Sequence, residues 1–124
     1  MKKIVLITAM LLALASAAFA QGHGHSDKGP NGGSMQDVAG VHAELMVVDR
    51  TLTIHIYDEA GKTVPTTGFS GSILVGSGQA RQVVQLTPGV GNTLVGTATT
   101  SVPRGTQMTL QLKTSGGKSG QAKF

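Results

Sequence analysis

The chain contains no cysteine. That excludes disulfides, thiolate metal sites and cysteine nucleophiles. Stability must then come from a packed core, and a metal would need imidazole, thioether, carboxylate or backbone nitrogen. Aromatic residues are almost absent, with only Tyr57, Phe69 and Phe124 after the N-terminal segment. The basic residues are scattered. A nucleic-acid surface calls for a basic patch interleaved with stacking aromatics, and neither is visible. Enzyme signatures are also missing: there is no G-x-S-x-G, no H-E-x-x-H, no phosphate loop and no arguable carboxylate pair. The expectation is a protein that is not an enzyme. Beyond the N-terminal segment no stretch repeats its apolar residues every 3.6 positions, so a helical domain is not indicated.

What is present begins with a leader. Lys2 and Lys3 precede an apolar run from Ile4 to Leu14, and small residues end at Ala18-Phe19-Ala20. A basic start, an apolar run and an A-x-A site read as a secretory signal peptide over residues 1–20. The run is short for a membrane span. The expectation is a periplasmic or secreted protein of residues 21–124, with no stable membrane insertion after cleavage and room for one domain. Losing Lys2 and Lys3 lowers the formal charge from +4 to +2.

Residues 21–33 (QGHGHSDKGPNGG) are polar and Gly-rich, which predicts a flexible His/Gly-rich arm. Residues 34–124 read as the folded domain. Leu52, Ile54 and Ile56 alternate with polar residues, as do Ala43, Leu45 and Val47 before them and Met108, Leu110 and Leu112 later. Turn signals such as Asp58-Glu59-Ala60-Gly61 and Thr87-Pro88-Gly89 separate such runs. About seven short strands with regular turns predict an antiparallel β-sandwich, an Ig-like or cupredoxin-like Greek key, with a small closed barrel as the alternative.

Two groups of residues carry candidate chemistry. Cleavage after Ala20 would expose Gln21-Gly22-His23. Its amine, two amide nitrogens and imidazole can close a square-planar site for Cu(II) or Ni(II), with His25 as a further donor. The second group is His42, Met46 and His55 on the hairpin of residues 41–57, with Met35 nearby. Pairing Val47 with Ile54 and Leu45 with Ile56 would put Met46 directly opposite His55 and Glu44 opposite Tyr57. Thioether with imidazole suits Cu(I), and imidazole alone suits Cu(II) or zinc. Glu44 reads as a solvated charge, Met108 as core packing, and the aspartates as turn residues.

The run PNGGSMQDVAGVHAEL, followed by a hairpin ending IYDEAGKTVP, resembles small exported proteins and periplasmic segments of bacterial heavy-metal efflux adaptors. The resemblance spans roughly Gly29 to Leu86, and LTPGVGNTLVG is in keeping with it. It implies a periplasmic β domain that handles copper or another heavy metal, and it singles out His42. The chain lacks the coiled-coil hairpin and lipoyl-like segments of a full adaptor. The resemblance therefore implies a carrier or buffer, with an efflux component as a partner. Small periplasmic copper carriers with His and Met ligands are similar in architecture. The other reading is a metal-free β-sandwich module that contacts a protein partner.

Overall fold

The computed structural model describes residues 27–124. The expected signal peptide, His23 and His25 lie outside the described residues. Nine antiparallel strands follow one another: β1 (Asp27–Lys28), β2 (Ser34–Val38), β3 (Val41–Val48), β4 (Thr51–Tyr57), β5 (Ser70–Val75), β6 (Gln82–Pro88), β7 (Thr93–Thr97), β8 (Met108–Lys113) and β9 (Ser119–Lys123). One short 3₁₀ turn, Gly78–Ala80, joins β5 to β6. Among the described residues no helix is long and apolar enough to cross a membrane.

The strands form one hydrogen-bonded order, β1-β2-β3-β4-β7-β6-β5-β8-β9. Strands β5, β6 and β7 are successive neighbours, and β8 returns to lie beside β5, which is the Greek-key order. The two ends of the sheet approach each other. A Cβ built on Gly120 of β9 would lie 2.9 Å from the Ala39 backbone nitrogen and 3.3 Å from Val38 Cγ2. The sheet thus curls until it is nearly closed. Nine strands stand where about seven were expected. The described part of the expected arm accounts for one of them, because residues 27–33 form β1 and a closed turn. Nothing in their polar, Gly-rich sequence alternates, so β1 is not visible as a pattern.

The alternating apolar residues form the core. Leu52, Ile54, Ile56, Ile73, Leu94 and Leu110 have no solvent exposure. Each such side chain contributes roughly 1.5–3 kcal/mol relative to an exposed one. Met108 is buried with them, as its phase with Leu110 and Leu112 predicts.

The β3–β4 register differs from the expected one. Val47 pairs with Leu52, Leu45 with Ile54 and Ala43 with Ile56. Met46 therefore stands opposite Thr53, not His55. Glu44 faces His55, and His42 faces Tyr57. The expected pairing closes on a two- or four-residue loop centred on Arg50 and Thr51, whereas the structure closes one residue earlier, on Asp49 and Arg50. Asp49 takes φ 54° there, a conformation that short polar side chains tolerate and that tight hairpins require. A slip of two residues keeps every side chain on its own face, so the apolar pattern cannot tell the two registers apart.

The β2–β3 hairpin also turns on two residues, Ala39 at φ 51° and Gly40 at φ 81°. Glycine is at ease there and alanine is not. Ala39→Asn restores the favoured Asn-Gly pair and should raise stability by about 0.5–1 kcal/mol. An unchanged urea midpoint would show that this turn carries no strain.

Candidate functional site

The outward face of β2, β3 and β4 gathers most of the chain's chemistry. Directly paired residues share a face of an antiparallel sheet. One cross-strand row contains Met35, Glu44, His55 and Thr93. The adjacent row on one side contains Asp37, His42 and Tyr57. The row on the other side contains Met46, Thr53 and Val95. His42 and His55 are thus diagonal neighbours, as are Met46 and His55. Such diagonals separate positions by about 7–8 Å.

Glu44 sits at the centre of this face with no solvent exposure, contrary to its expectation as a solvated charge. The turn over Gly29–Gly33 folds down onto it. Gly29 N–H donates to the Gly33 carbonyl at 2.8 Å, and Gly32 N–H to the Gly29 carbonyl at 2.9 Å. The closed turn aims its remaining donors at the carboxylate. The backbone N–H groups of Asn31 and Gly33 both donate to Oε2 at 2.9 Å. The Asn31 side-chain amide donates to Oε1 at 2.8 Å and lies 3.0 Å from the Tyr57 hydroxyl. Tyr57 in turn donates to Oε1 at 3.4 Å. The turn can come this close only because Gly29 and Gly33 lack side chains. A Cβ on Gly29 would lie 2.2 Å from Glu44 Cδ, and one on Gly33 would lie 2.4 Å from the Leu45 carbonyl oxygen.

The electrostatics follow from this cage. Burial pushes the Glu44 carboxyl upward. The Asn31 side chain, the backbone donors of Gly33 and Asn31, and the nearby His55 together outweigh that push and hold it below the ordinary glutamate value. A carboxylate accepting several N–H bonds is favoured in its charged form. Tyr57 moves the other way. Burial, followed by the negative charge of Glu44, raises its phenol above the usual value despite hydrogen bonds with Asn92 and Asn31. Tyr57 therefore stays a hydroxyl donor, and Glu44 an occupied anion.

Glu44 is thus committed to the turn. His42 is committed differently. Its Nδ1 contacts Asp37 Oδ1, and an ionised carboxylate can only accept. Nδ1 therefore carries the proton, which leaves Nε2 of a neutral ring with its lone pair free. His42 is 31% exposed in its side chain and Asp37 83%, so the pair sits at the open margin of the face. Asp37 lies on β2, opposite His42, and not in a turn as its neighbours Ala39-Gly40 suggest. His55 is half-buried beside Glu44. Met46 is also half-buried, and a Cβ on Gly33 would lie 2.6 Å from its sulfur, so the thioether packs under the turn.

The structure therefore brings His42 and His55 onto one face as diagonal neighbours. It does not set Met46 directly against His55. Among the described residues no three His, Asp or Glu side chains converge to hold a metal ion. The residues missed by sequence reasoning are Asn31, Tyr57 and the buried state of Glu44. The available signal was the Asn-Gly-Gly turn immediately before the strands, which supplies backbone donors next to a lone strand carboxylate.

No family model, no curated protein and no solved structure matches this chain. The meaning of the face rests on its own chemistry.

Proposed function

We propose that this is a periplasmic metal-binding protein, a copper carrier or buffer that is not an enzyme, with its ion held at the outward face of β2–β4. One observation carries the reading: Asp37 fixes the His42 tautomer and leaves Nε2 as a donor, the arrangement in which a carboxylate orients a ligating imidazole. His55 lies diagonally across on the same face. Two imidazoles do not complete a site, so further donors must come from elsewhere in the chain. His25 is two residues before Asp27 in the sequence. Asp27 enters the sheet opposite Met35, one row from Asp37. His23 and His25 are therefore the proposed completing ligands. Imidazole donors suit Cu(II), with zinc and nickel as competitors, and an efflux component is the proposed recipient. Met46 is assigned to packing under the turn. On the same reading, β6 is the corner at which the sheet folds into the two layers of a sandwich, because it pairs with β5 over Gln82–Leu86 and with β7 at Thr87 and Pro88.

Native mass spectrometry of the processed protein with one equivalent of Cu(II), and separately of Cu(I), tests the proposal. One retained ion is expected. Asp37→Asn should weaken retention about tenfold, and the combined His42→Ala and His55→Ala change should weaken it further. Met46→Leu should leave it unaltered. No retained copper in either state, or binding indifferent to replacement of His23, His42 and His55, would overturn the reading.

A further inference from the structure

A different surface lies on the other half of the sheet. All six Asp and Glu residues of the chain fall between Asp27 and Glu59, and none follows. The strand order turns this into a spatial division. Strands β1–β4 are contiguous at one end, and β7, β6, β5, β8 and β9 make up the rest without a single carboxylate side chain. Basic residues that look scattered along the sequence thereby meet no opposing charge. No ion pair among the described residues reaches Lys113 or Lys123.

The outward face of β5, β6, β8 and β9 carries a groove of about 570 Å³. The register lines up Gln85, Ser72, Gln111 and Gln121 in one cross-strand row. Lys113 lies in the row on one side, and Lys123 in the row on the other. Each glutamine amide offers two donors and one acceptor, the same complement that a peptide backbone seeks. Lys113 lines the groove and Lys123 lies one row beyond it, so positive charge stands on both sides of the glutamine row.

We propose that this groove docks an extended acidic segment of a partner protein, its backbone against the glutamine row and its carboxylates at Lys113 and Lys123. No aromatic side chain lines the groove, so a nucleobase finds no stacking platform. A second copy of this chain is a poor occupant, because its own carboxylates are largely engaged. Glu44 is caged by the turn, Asp37 holds His42, Asp49 accepts from the Ser101 hydroxyl, and Asp58 accepts from the N–H groups of Ala60 and Lys62.

Fluorescence anisotropy of a labelled peptide of alternating Glu and Ser, titrated with the purified protein, tests this. Saturable binding is expected, weaker at physiological than at low salt because exposed charges are screened. The combined K113E and K123E change should weaken it tenfold or more. Gln111→Ala with Gln121→Ala should weaken it by a smaller factor. Lys62→Glu, in the β4–β5 turn, and His42→Ala should leave it unchanged. Absent saturation, equal weakening by Lys62→Glu, or binding only to phosphatidylglycerol vesicles and not to the peptide would each overturn the proposal.

Discussion

Glu44→Ala should destabilise the protein by about 3–5 kcal/mol, although it removes a buried charge. The carboxylate accepts from two backbone N–H groups, an amide and a hydroxyl. Hydrogen bonds to a charged group contribute about 1.5–3 kcal/mol each, and a buried donor left without a partner costs about 1–3 kcal/mol. These terms are not additive, because the turn can partly open and let water reach its donors. Glu44→Gln should cost less, because its carbonyl can keep the two backbone N–H groups, but its NH₂ must then face the Asn31 amide and the Tyr57 hydroxyl, which now donate and would have to turn to accept. Urea unfolding followed by circular dichroism measures both changes. A loss below about 1 kcal/mol for Glu44→Ala would mean that the cage contributes little net stability. Asn31→Ala combined with Glu44→Ala should cost well below the sum of the two single changes, since both break the same network.

The same cage sets a pH dependence. The folded-state pKa of Glu44 lies below its ordinary value, so the unfolded chain binds more protons through that range. Stability from this group is fully present above the unfolded value of about 4.3 and is lost as pH falls through the lower folded value. The native protein should therefore weaken as pH falls below about 4.3, and Glu44→Gln should flatten that slope. An equally steep slope in Glu44→Gln would assign it to other carboxylates.

Gly33→Ala should cost about 2–4 kcal/mol, the second largest effect. The added methyl would meet the Leu45 carbonyl oxygen at 2.4 Å and the Met46 sulfur at 2.6 Å. The sulfur can swing away, but the carbonyl belongs to a paired strand and cannot. The turn must lift, and its two donors leave Glu44. Overpacking at such a contact is costly even where the chemistry is conservative. A drop in Tm on the order of 10–20 °C is expected for a domain of this size. An unshifted Tm would show that the turn accommodates a Cβ and that its closeness to β3 is not required.

The two substitutions separate cause from scaffold. Glu44→Ala removes the acceptor and leaves the turn free to stay, whereas Gly33→Ala removes the turn and leaves the acceptor in place. If the turn exists to cage the carboxylate, both should expose Tyr57 and Asn31 to solvent. Hydrogen exchange at the Asn31 and Gly33 amides reports this directly.

How far the fold could be read in the chain depends on the interaction involved. Burial of Leu52, Ile54 and Ile56, and of Leu110 and Leu112, follows from a period of two. That pattern states which face is wet without reference to any partner strand. The partner itself was less legible. Met46 opposite Thr53 and Met46 opposite His55 satisfy the same alternation, and only the loop geometry at Asp49 chooses between them. Asp37 looked like turn chemistry because it lies close to Ala39-Gly40, and its bond to His42 became apparent only once β2 was paired with β3.

By itself, the amino-acid sequence determined an all-β antiparallel domain, its core residues and the absence of thiol chemistry, because these depend on side-chain type and local period. Tertiary structure alone decided what happens at the PNGG turn. A polar, Gly-rich segment reads as flexible until a carboxylate thirteen residues from Asn31 lies beneath its N–H groups. The physical reason is that a hydrogen bond to a buried charge depends on distance and direction in space. Charge segregation has the same origin: Lys113 and Lys123, ten residues apart, share one face only when β8 and β9 are laid side by side.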